Sequence, residues 1–318
     1  MVQERILIIG ACGQIGVELT LALRQIYGVA NVIASDIRPA HPLLADGPYM
    51  IVNAMDEQSL DMLIKREHIT QVYLLAAVLS ATGEQNPMRA WDVNMKSLLQ
   101  LLEIARQEKV KKVYWPSSIA VFGPTTPRQA TPQETVVEPR TVYGISKYAG
   151  ELWCQYYNQR YGLDVRSLRY PGLISWKSDP GGGTTDYAVE IYHEALETGS
   201  YTSFLKEDTY LPMMYMDDAI RATIELMEAP AEKIKTRMSY NLSSMSFSPK
   251  EIAASIQTHI PNFKMAYAPD FRQAIADGWP QSIDDSAARE HWGWKHEFDL
   301  EKMTATMLEN LRKQKSGV

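Results

Sequence analysis

The sequence has few of the features that mark secreted, membrane-spanning or metal-binding proteins. Its 318 residues include only two cysteines, Cys12 and Cys154, and neither lies in a CxxC or CxxH motif. The longest apolar run, residues 72–79, is far shorter than the ~20 residues that cross a bilayer. We therefore expect a protein of the reducing cytoplasm, with neither a disulfide framework nor a membrane partner.

Clusters of positive charge and histidine residues are also scarce. Lys and Arg number 32 against 38 Asp and Glu, and the only basic clusters are short ones at residues 109–112 and 312–315. This pattern lacks the basic patch that nucleic-acid-binding proteins use to contact phosphates. The six histidines are scattered and no HExxH motif occurs, so we predict no metal site. The length suits about two folded domains.

The first 170 residues alternate short apolar runs with segments of helical periodicity. Residues 5–9 contain an apolar run that ends before a glycine, and residues 14–27 carry apolar side chains at helical spacing. The same criteria predict further strands at 31–35, 49–52, 71–76, 112–115 and 164–168, and further helices at 57–67, 87–107 and 143–161. Strands this apolar need helices on both faces, so we predict an α/β fold with a Rossmann-type, doubly wound parallel sheet.

After residue 170 the alternation weakens, and Pro, Gly, Met and aromatic residues gather. We predict that residues 1–170 form the cofactor-binding domain and that residues 171–216 and 241–318 form a smaller, mixed substrate domain. Residues 217–240 contain a predicted helix at 217–228, and we expect this stretch to return to the first domain. Helices at 249–257 and 300–312 complete the second domain.

Three glycines mark the turn between the first strand and the first helix. Gly10, Gly13 and Gly16 lie where free N–H groups and the helix dipole favour a pyrophosphate. A tight turn alone would also need glycine, but Asp36 ends the second strand at the spacing typical of dinucleotide-binding domains. Such an acid accepts hydrogen bonds from the ribose and repels a 2′-phosphate, so the pattern predicts NAD. Arg38 is the neighbour that would favour NADP instead.

A tyrosine and a lysine share one face of the predicted helix 143–161. Tyr143 and Lys147 lie four residues apart. By itself this spacing also fits an amphipathic helix whose lysine extends toward solvent. The position in the chain is more informative, because the helix follows a strand that leads into Ser117 and Ser118, at the sheet edge where ligands bind.

These motifs together resemble the extended short-chain dehydrogenase/reductase superfamily, which includes nucleotide-sugar epimerases. The matching stretches are residues 10–16, 75–77, 94, 116–123 and 143–147. The resemblance implies an NAD-dependent enzyme with Ser118, Tyr143 and Lys147 as its catalytic residues. The cofactor contacts that it implies are Gly10, Gly13, Gln14, Ile15, Gly16, Asp36, Ile37, Asn53, Ala54, Leu75, Ala76, Ala77, Asn94, Tyr143, Lys147 and Tyr170.

The chemistry implied by the resemblance suits these side chains. Tyr143 would take the proton of a substrate hydroxyl, which for a phenol of pKa ~10 needs a shift of ~3 units. An ammonium at ~4 Å supplies on the order of 4 kcal/mol at an effective dielectric of ~20. We therefore expect Lys147 to lower the pKa of Tyr143 nearly far enough by itself, with a bound cationic nicotinamide adding to the effect. Ser118 would orient the reacting oxygen.

The substrate depends on the second half of the chain. Residues 180–186 combine three glycines with two threonines, which suits a small carboxylate but equally a flexible loop that ends in a helix cap. Together with residues 79–87, 168–175, 211–216 and 278–286, they resemble the family of short-chain L-threonine 3-dehydrogenases. Such enzymes oxidise the β-hydroxyl of L-threonine to 2-amino-3-ketobutyrate. The substrate contacts implied are Ser80, Ser118, Tyr143, Gly183, Thr184, Thr185 and Trp279.

The resemblance also implies a partner. A homodimer would form through the helices of residues 88–107 and 143–161. The expected ligands are then NAD and a small molecule, L-threonine, with no nucleic acid and no membrane.

Two other functions stay open from the sequence. A nucleotide-sugar epimerase or dehydratase would need basic residues for a second diphosphate, and residues 176–215 contain only Lys177 and Lys206. Phe122 also stands where such enzymes often carry a tyrosine. A catalytically silent NAD-binding sensor is the second alternative, and the intact catalytic residues argue against it.

Overall fold

The strands of this protein form one large sheet and three small ones. The structure is a computed structural model that describes residues 4–177 and 183–316. The strands in these ranges are β1 (Ile6–Ile9), β2 (Val32–Asp36), β3 (Tyr49–Ile51), β4 (Gln71–Leu74), β5 (Lys112–Tyr114), β6 (Ser117–Ser118), β7 (Asp164–Arg166), β8 (Leu168–Tyr170), β9 (Gly172–Ile174), β10 (Ser200–Ser203), β11 (Leu211–Tyr215), β12 (Tyr240–Asn241), β13 (Met245–Phe247) and β14 (Lys264–Tyr267). The large sheet is parallel, in the order β3-β2-β1-β4-β5-β7. The small sheets are β12-β8-β6, β13-β11-β9 and β10-β14.

Helices connect and cover these strands. They are α1 (Gln14–Tyr27), α2 (Glu57–Arg66), α3 (Ser80–Gln85), α4 (Pro87–Trp91), α5 (Ser97–Gln107), α6 (Val142–Tyr161), α7 (Tyr187–Glu197), α8 (Met216–Glu228), α9 (Pro249–His259), α10 (Arg272–Asp277), α11 (Ser286–Trp292) and α12 (Leu300–Ser316). Across the described ranges, none of them combines the length and apolarity that a membrane crossing requires.

Strand β1 separates two hydrophobic cores. Ile6 and Ile8 pack with α1 and α8 on one side of the sheet, and Leu7 and Ile9 pack with α2 and α5 on the other. Successive side chains of a strand point to opposite faces, so the sheet is covered on both sides. The predicted doubly wound α/β fold is confirmed, and α8 shares a core with β1 and α1.

A third core fills the second half of the chain. It contains Tyr187 and Ile191 of α7, Ile252 of α9 and Met307 of α12, and it extends to Trp279. These residues are distant in sequence, and strand residues such as Met213 of β11 and Phe247 of β13 join the same core. The division of the chain into two domains stays a prediction.

The structure differs from the predicted elements at three places. Residues 80–85, where no helix was predicted, form α3. The predicted helix 87–107 is interrupted by a π-helical segment, Asp92–Lys96, which separates α4 from α5. The predicted strand 164–168 is divided, because β7 pairs with β5 in the large sheet whereas β8 leaves it to pair with β6 and β12.

Candidate active site

Two neighbouring cavities lie at the carboxyl edge of the large sheet. The larger, of about 650 Å³, has the size of a ligand pocket. Nine of the predicted cofactor contacts line it: Gly10, Gly13, Asp36, Ile37, Asn53, Ala54, Leu75, Ala76 and Ala77. The smaller, of about 140 Å³, shares Leu75 and Ala77 with the larger one. The predicted site residues that line it are Gln14, Ile15, Leu75, Ala77, Ser80, Ser118, Tyr143, Lys147, Tyr170, Gly183, Thr184, Thr185 and Trp279.

At the glycine turn, Gly10 and Gly13 line the larger cavity with backbone atoms and no side chain. Gly10 has φ +88°, and a Cβ there would lie 2.6 Å from the backbone nitrogen of Ala76. Gly16 packs beneath it, where a Cβ would lie 2.3 Å from the Gly10 carbonyl oxygen. Helix α1 begins after Gly13 without a side-chain cap, so its first N–H groups are available to a ligand. The turn therefore fits a pyrophosphate at a helix N-terminus.

Asp36 lies at the end of β2 and lines the larger cavity, where its carboxylate is the centre of a group of hydrogen bonds. Its carboxylate accepts hydrogen bonds from the Cys12 backbone N–H (3.0 Å) and from the Arg38 backbone N–H (3.1 Å). Arg38 Nε also donates to Asp36, at 3.1 Å. Burial opposes ionisation, but these hydrogen bonds hold the pKa of Asp36 below its usual value. The Arg38 charge is thus compensated by Asp36, which favours NAD over a cofactor with a 2′-phosphate.

Helix α6 carries the tyrosine and lysine into the smaller cavity. It begins after Thr141, whose side chain accepts a hydrogen bond from the Gly144 N–H. This cap places Tyr143 in the first turn and Lys147 one turn later, on the same face. Ser118 reaches the same cavity from β6. The structure therefore brings the three predicted catalytic residues together.

The Lys147 ammonium group lies in a buried position beside the Trp115 ring. Its Nζ donates to the Pro116 carbonyl oxygen at 2.6 Å and lies 4.4 Å from the ring centroid of Trp115. It lies 5.4 Å from the ring centroid of Tyr143. The side chain is held in one place, with its charge facing a carbonyl and an aromatic face.

Burial dominates the pKa values of this pair. It raises the pKa of Tyr143 to about 12, and the Ser118 hydroxyl offsets part of that increase. It also lowers the pKa of Lys147 to about 7. The prediction that Lys147 alone lowers the pKa of Tyr143 is therefore wrong, because removal from water disfavours charge on both groups.

Residues of the second half complete the smaller cavity. The hydroxyl groups of Ser80 and Thr184 are both buried and lie 3.3 Å apart, although the residues are 104 positions apart in sequence. Thr185, Gly183 and Trp279 line the same space. Residues 178–182, part of the predicted substrate segment, lie outside the described residues.

The sequence analysis did not single out one acidic residue of the smaller cavity, and two of the predicted cofactor contacts line neither cavity. Asp186 lines the smaller cavity, and its Oδ2 accepts a hydrogen bond from the Gly183 N–H at 2.8 Å. Its position before α7 was a signal, because acids often precede helices. Gly16 and Asn94 line neither cavity. Both polar atoms of the Asn94 amide are bonded to the backbone of Val78, at 2.8 and 3.1 Å, so this side chain supports the cavity wall.

The polar groups of the site include no cluster of metal ligands. Within residues 4–177 and 183–316, no group of three or more His, Cys, Asp or Glu side chains is arranged to hold a metal ion. In the described part of the site, Lys147 and Asp186 are the charged lining side chains, and the other polar ones carry hydroxyl groups, the Gln14 amide and the Trp279 indole.

Known proteins share this architecture. The model of the NAD dependent epimerase/dehydratase family matches residues 6–243. An uncharacterised epimerase/dehydratase of Staphylococcus haemolyticus (strain JCSC1435) is 49% identical over 317 residues, with 99% of each chain covered. A partial consensus L-threonine 3-dehydrogenase is 61% identical, with a TM-score of 0.95 and coverage of 97% of this chain and 99% of that one. The GalE-like L-threonine dehydrogenase of Cupriavidus necator in its holo form is 60% identical, with a TM-score of 0.94 and coverage of 96% and 99%. Since the family model spans most of the chain and these relatives span nearly all of it, the protein belongs to the NAD dependent epimerase/dehydratase family.

Proposed function

We propose that this protein oxidises the β-hydroxyl of L-threonine with NAD, giving 2-amino-3-ketobutyrate. One observation carries the proposal. The catalytic residues Ser118, Tyr143 and Lys147 share a cavity of about 140 Å³ with the hydroxyl group of Thr184 and with other polar groups of the second half. A cavity this small suits an amino acid and lies below the usual range for larger ligands. The relatives of similar length named as L-threonine dehydrogenases have the same fold.

The larger cavity fits the dinucleotide. The glycine turn and the start of α1 would hold the pyrophosphate, and Asp36 would accept from the ribose hydroxyls. Bound NAD would supply an acceptor for the hydride of the threonine β-carbon and a positive charge on its oxidised ring. That charge matters because Lys147 by itself does not offset the burial of the phenol.

The protein residues then handle the proton. Tyr143 takes the proton of the substrate hydroxyl, so that hydroxyl loses a proton as the carbon loses a hydride and a ketone forms. The Ser118 hydroxyl orients the reacting oxygen and stabilises charge on the phenol. Lys147 would hold the ribose end of the cofactor, and its hydrogen bond to the Pro116 carbonyl oxygen fixes its position.

The remaining lining groups match the two charged ends of an amino acid. Ser80, Thr184 and Thr185 offer hydroxyl groups to the carboxylate. Asp186 is the one acidic side chain that lines the described part of this cavity, and a carboxylate attracts the substrate ammonium. Lys147 is the one basic side chain in that described part, which gives no clamp for a second diphosphate and disfavours a nucleotide-sugar substrate.

Turnover assays test the proposal. The purified protein is mixed with NAD and with L-threonine, L-serine, 3-hydroxybutyrate or UDP-glucose, and NADH is followed by absorbance. We expect the highest kcat/KM with L-threonine. Turnover of 3-hydroxybutyrate but not of L-threonine would exclude the amino-acid assignment. Epimerisation of UDP-glucose, which yields no net NADH and is followed by chromatography, would favour the sugar enzyme, and NAD binding without any turnover would favour the sensor.

We also propose that a second copy of this chain is the partner. Helix α6 exposes Ile145, Leu152, Trp153 and Tyr156, each between 40% and 46% accessible. Ile145, Leu152 and Tyr156 are spaced at seven and four residues, so they share a helix face. Sedimentation velocity should give a dimer for the wild type and a monomer for Leu152→Glu. A monomeric wild type would contradict this assignment.

We place the protein in the cytoplasm, where free thiols persist. Cys12 and Cys154 are both unpaired, and Cys154 is fully buried on α6. Fractionation of the source cells with immunodetection tests this, and recovery outside the cytoplasm would contradict it.

A further inference from the structure

A row of polar side chains crosses the small sheet that carries the catalytic serine. In the sheet β12-β8-β6, Ser117 lies opposite Arg169, and Arg169 lies opposite Asn241. The next position pairs Ser118 with Tyr170, and Ser117, Ser118 and Tyr170 all line the smaller cavity. Successive side chains of a strand point to opposite faces, so the orientation of the Ser117 side chain determines the orientation of the Ser118 side chain.

A buried carboxylate on helix α6 accepts hydrogen bonds from two residues of this row. Glu151 lies one helical turn after Lys147 and is fully buried. Its Oε1 accepts from the Ser117 hydroxyl at 2.5 Å and from Arg169 Nε at 2.9 Å, and its Oε2 accepts from Arg169 Nη2 at 2.7 Å. One carboxylate therefore joins the helix that carries Tyr143 to the strand that carries Ser118.

The network continues into the second half of the chain. Arg169 Nη1 donates to Asn241 Oδ1 at 3.1 Å and to the Gln133 carbonyl oxygen at 3.2 Å. The Asn241 amide in turn donates to the carbonyl oxygens of Thr131 and Asp284, at 3.1 and 3.2 Å. Every polar group of the ion pair is thus satisfied, which a buried pair requires if it is to hold a defined geometry.

We propose, on the basis of the proposed function, that Glu151 is a positioning residue for the oxidation: through Ser117 and Arg169 it holds β6 so that the Ser118 hydroxyl faces Tyr143. The tyrosine, the lysine and the glutamate lie on one face of α6, so a shift of β6 relative to that helix changes the geometry of the reacting groups directly. A misplacement of about 1 Å is enough to reduce turnover ~100-fold.

A pair of serine variants tests the proposal with the ion pair left intact. Ser117→Ala removes the link from β6 to Glu151. Ser167→Ala is the matched control, because Ser167 is also buried and its hydroxyl accepts from Ser239 Oγ at 2.6 Å, but it lines neither cavity. We expect Ser117→Ala to lower kcat with L-threonine by about 10- to 100-fold, with KM and the Kd of NAD within about twofold of wild type. Ser167→Ala should keep the wild-type kcat.

A second variant removes both charges. Glu151→Gln alone leaves Arg169 buried without a partner and endangers folding, whereas Glu151→Met with Arg169→Met avoids an uncompensated charge. We expect this double variant to bind NAD and to lose kcat at least as strongly as Ser117→Ala. If it does not fold, Ser117→Ala decides. Wild-type kcat in Ser117→Ala would overturn the proposal.

A structural readout separates this proposal from the proposed function. Crystal structures of wild type and Ser117→Ala, both without cofactor, give the separation of Ser118 Oγ from the Tyr143 hydroxyl oxygen. We expect that separation to increase in the variant, and an unchanged separation would overturn the positioning role. If the wild type does not oxidise L-threonine, the proposed function fails, while this measurement still decides whether Glu151 holds β6.

Discussion

The two cavities are built in different ways. The larger one is lined by residues between positions 9 and 93, which lie at the ends of neighbouring parallel strands or on and next to α3 and α4, so it draws on the first part of the chain alone. The smaller one depends on side chains that reach it from both halves of the chain, as the Ser80 and Thr184 hydroxyl groups show. Cofactor binding should therefore survive changes that abolish chemistry.

Loss of the phenol should separate the two cavities most strongly. We expect Tyr143→Phe to lower kcat with L-threonine by at least ~100-fold, because an acid/base group is lost. The Kd of NAD, measured by fluorescence titration, should stay nearly unchanged. Tyr148→Phe is the matched control, since Tyr148 lies on the same helix and lines neither cavity. Turnover retained in Tyr143→Phe would contradict the assigned role.

Loss of the acidic charge in the smaller cavity should affect substrate binding instead. We expect Asp186→Asn to raise the KM for L-threonine by about 10- to 100-fold, since a hydrogen bond to a charged group contributes about 1.5–3 kcal/mol. The hydroxy acid 3-hydroxybutyrate has no ammonium, so its KM should change little. The comparison of the two substrates is the measurement, and an equal effect on both would assign Asp186 a structural role.

A neighbouring acid provides the control for this variant. Asp277 ends α10 next to the segment of Trp279, and its carboxylate accepts from Gln273 Nε2 at 2.7 Å. It does not line the smaller cavity. Asp277→Asn should therefore leave the KM for L-threonine unchanged, and a similar increase there would point to a general effect of charge.

The large sheet and its cavity could be predicted because their signals are local. Helix α1 begins and ends at the predicted residues, Gln14 and Tyr27. Its apolar side chains recur at helical spacing only between Gly13 and Gly28, so these two glycines mark its ends. Asp36 was predicted from its distance to the glycine turn, and it lies at the end of β2. Such features follow from the order of residues along the chain and need little information from tertiary contacts.

The smaller cavity could be predicted only in part, because its properties depend on tertiary contacts. No spacing in the sequence shows that Glu151 and Arg169 form a buried ion pair. The pKa of Tyr143 follows from burial, which exceeds the effect of the lysine that the sequence placed one turn away. Asn94 was predicted as a cofactor contact from the family resemblance, but its side-chain amide is hydrogen-bonded to the backbone of Val78 in the cavity wall.

The selectivity for NAD tests the larger cavity. Asp36→Ala removes the group that accepts from the ribose and that compensates Arg38. We expect the preference for NAD over NADP, as the ratio of kcat/KM values, to fall about 10-fold, because one hydrogen bond to a charged group is lost and a free guanidinium meets the 2′-phosphate. The kcat at saturating NAD should change little. An unaltered preference would place the selectivity elsewhere, with Arg38 as the next residue to replace.

The smallest expected effect is a shift in the pH dependence of kcat/KM when Ser118 is replaced. Tyr143 acts as a base, so turnover depends on its deprotonated form and should fall as the pH falls through its pKa in the enzyme–cofactor complex. Ser118 stabilises the charged phenol, and its removal in Ser118→Ala raises that pKa. With a hydrogen bond contributing about 1 kcal/mol and about 1.36 kcal/mol per pKa unit, the inflection of kcat/KM should move up by about one pH unit or less. The measurement is the profile of kcat/KM for L-threonine at saturating NAD in both proteins, and an inflection that moves down in the variant would contradict the role of Ser118.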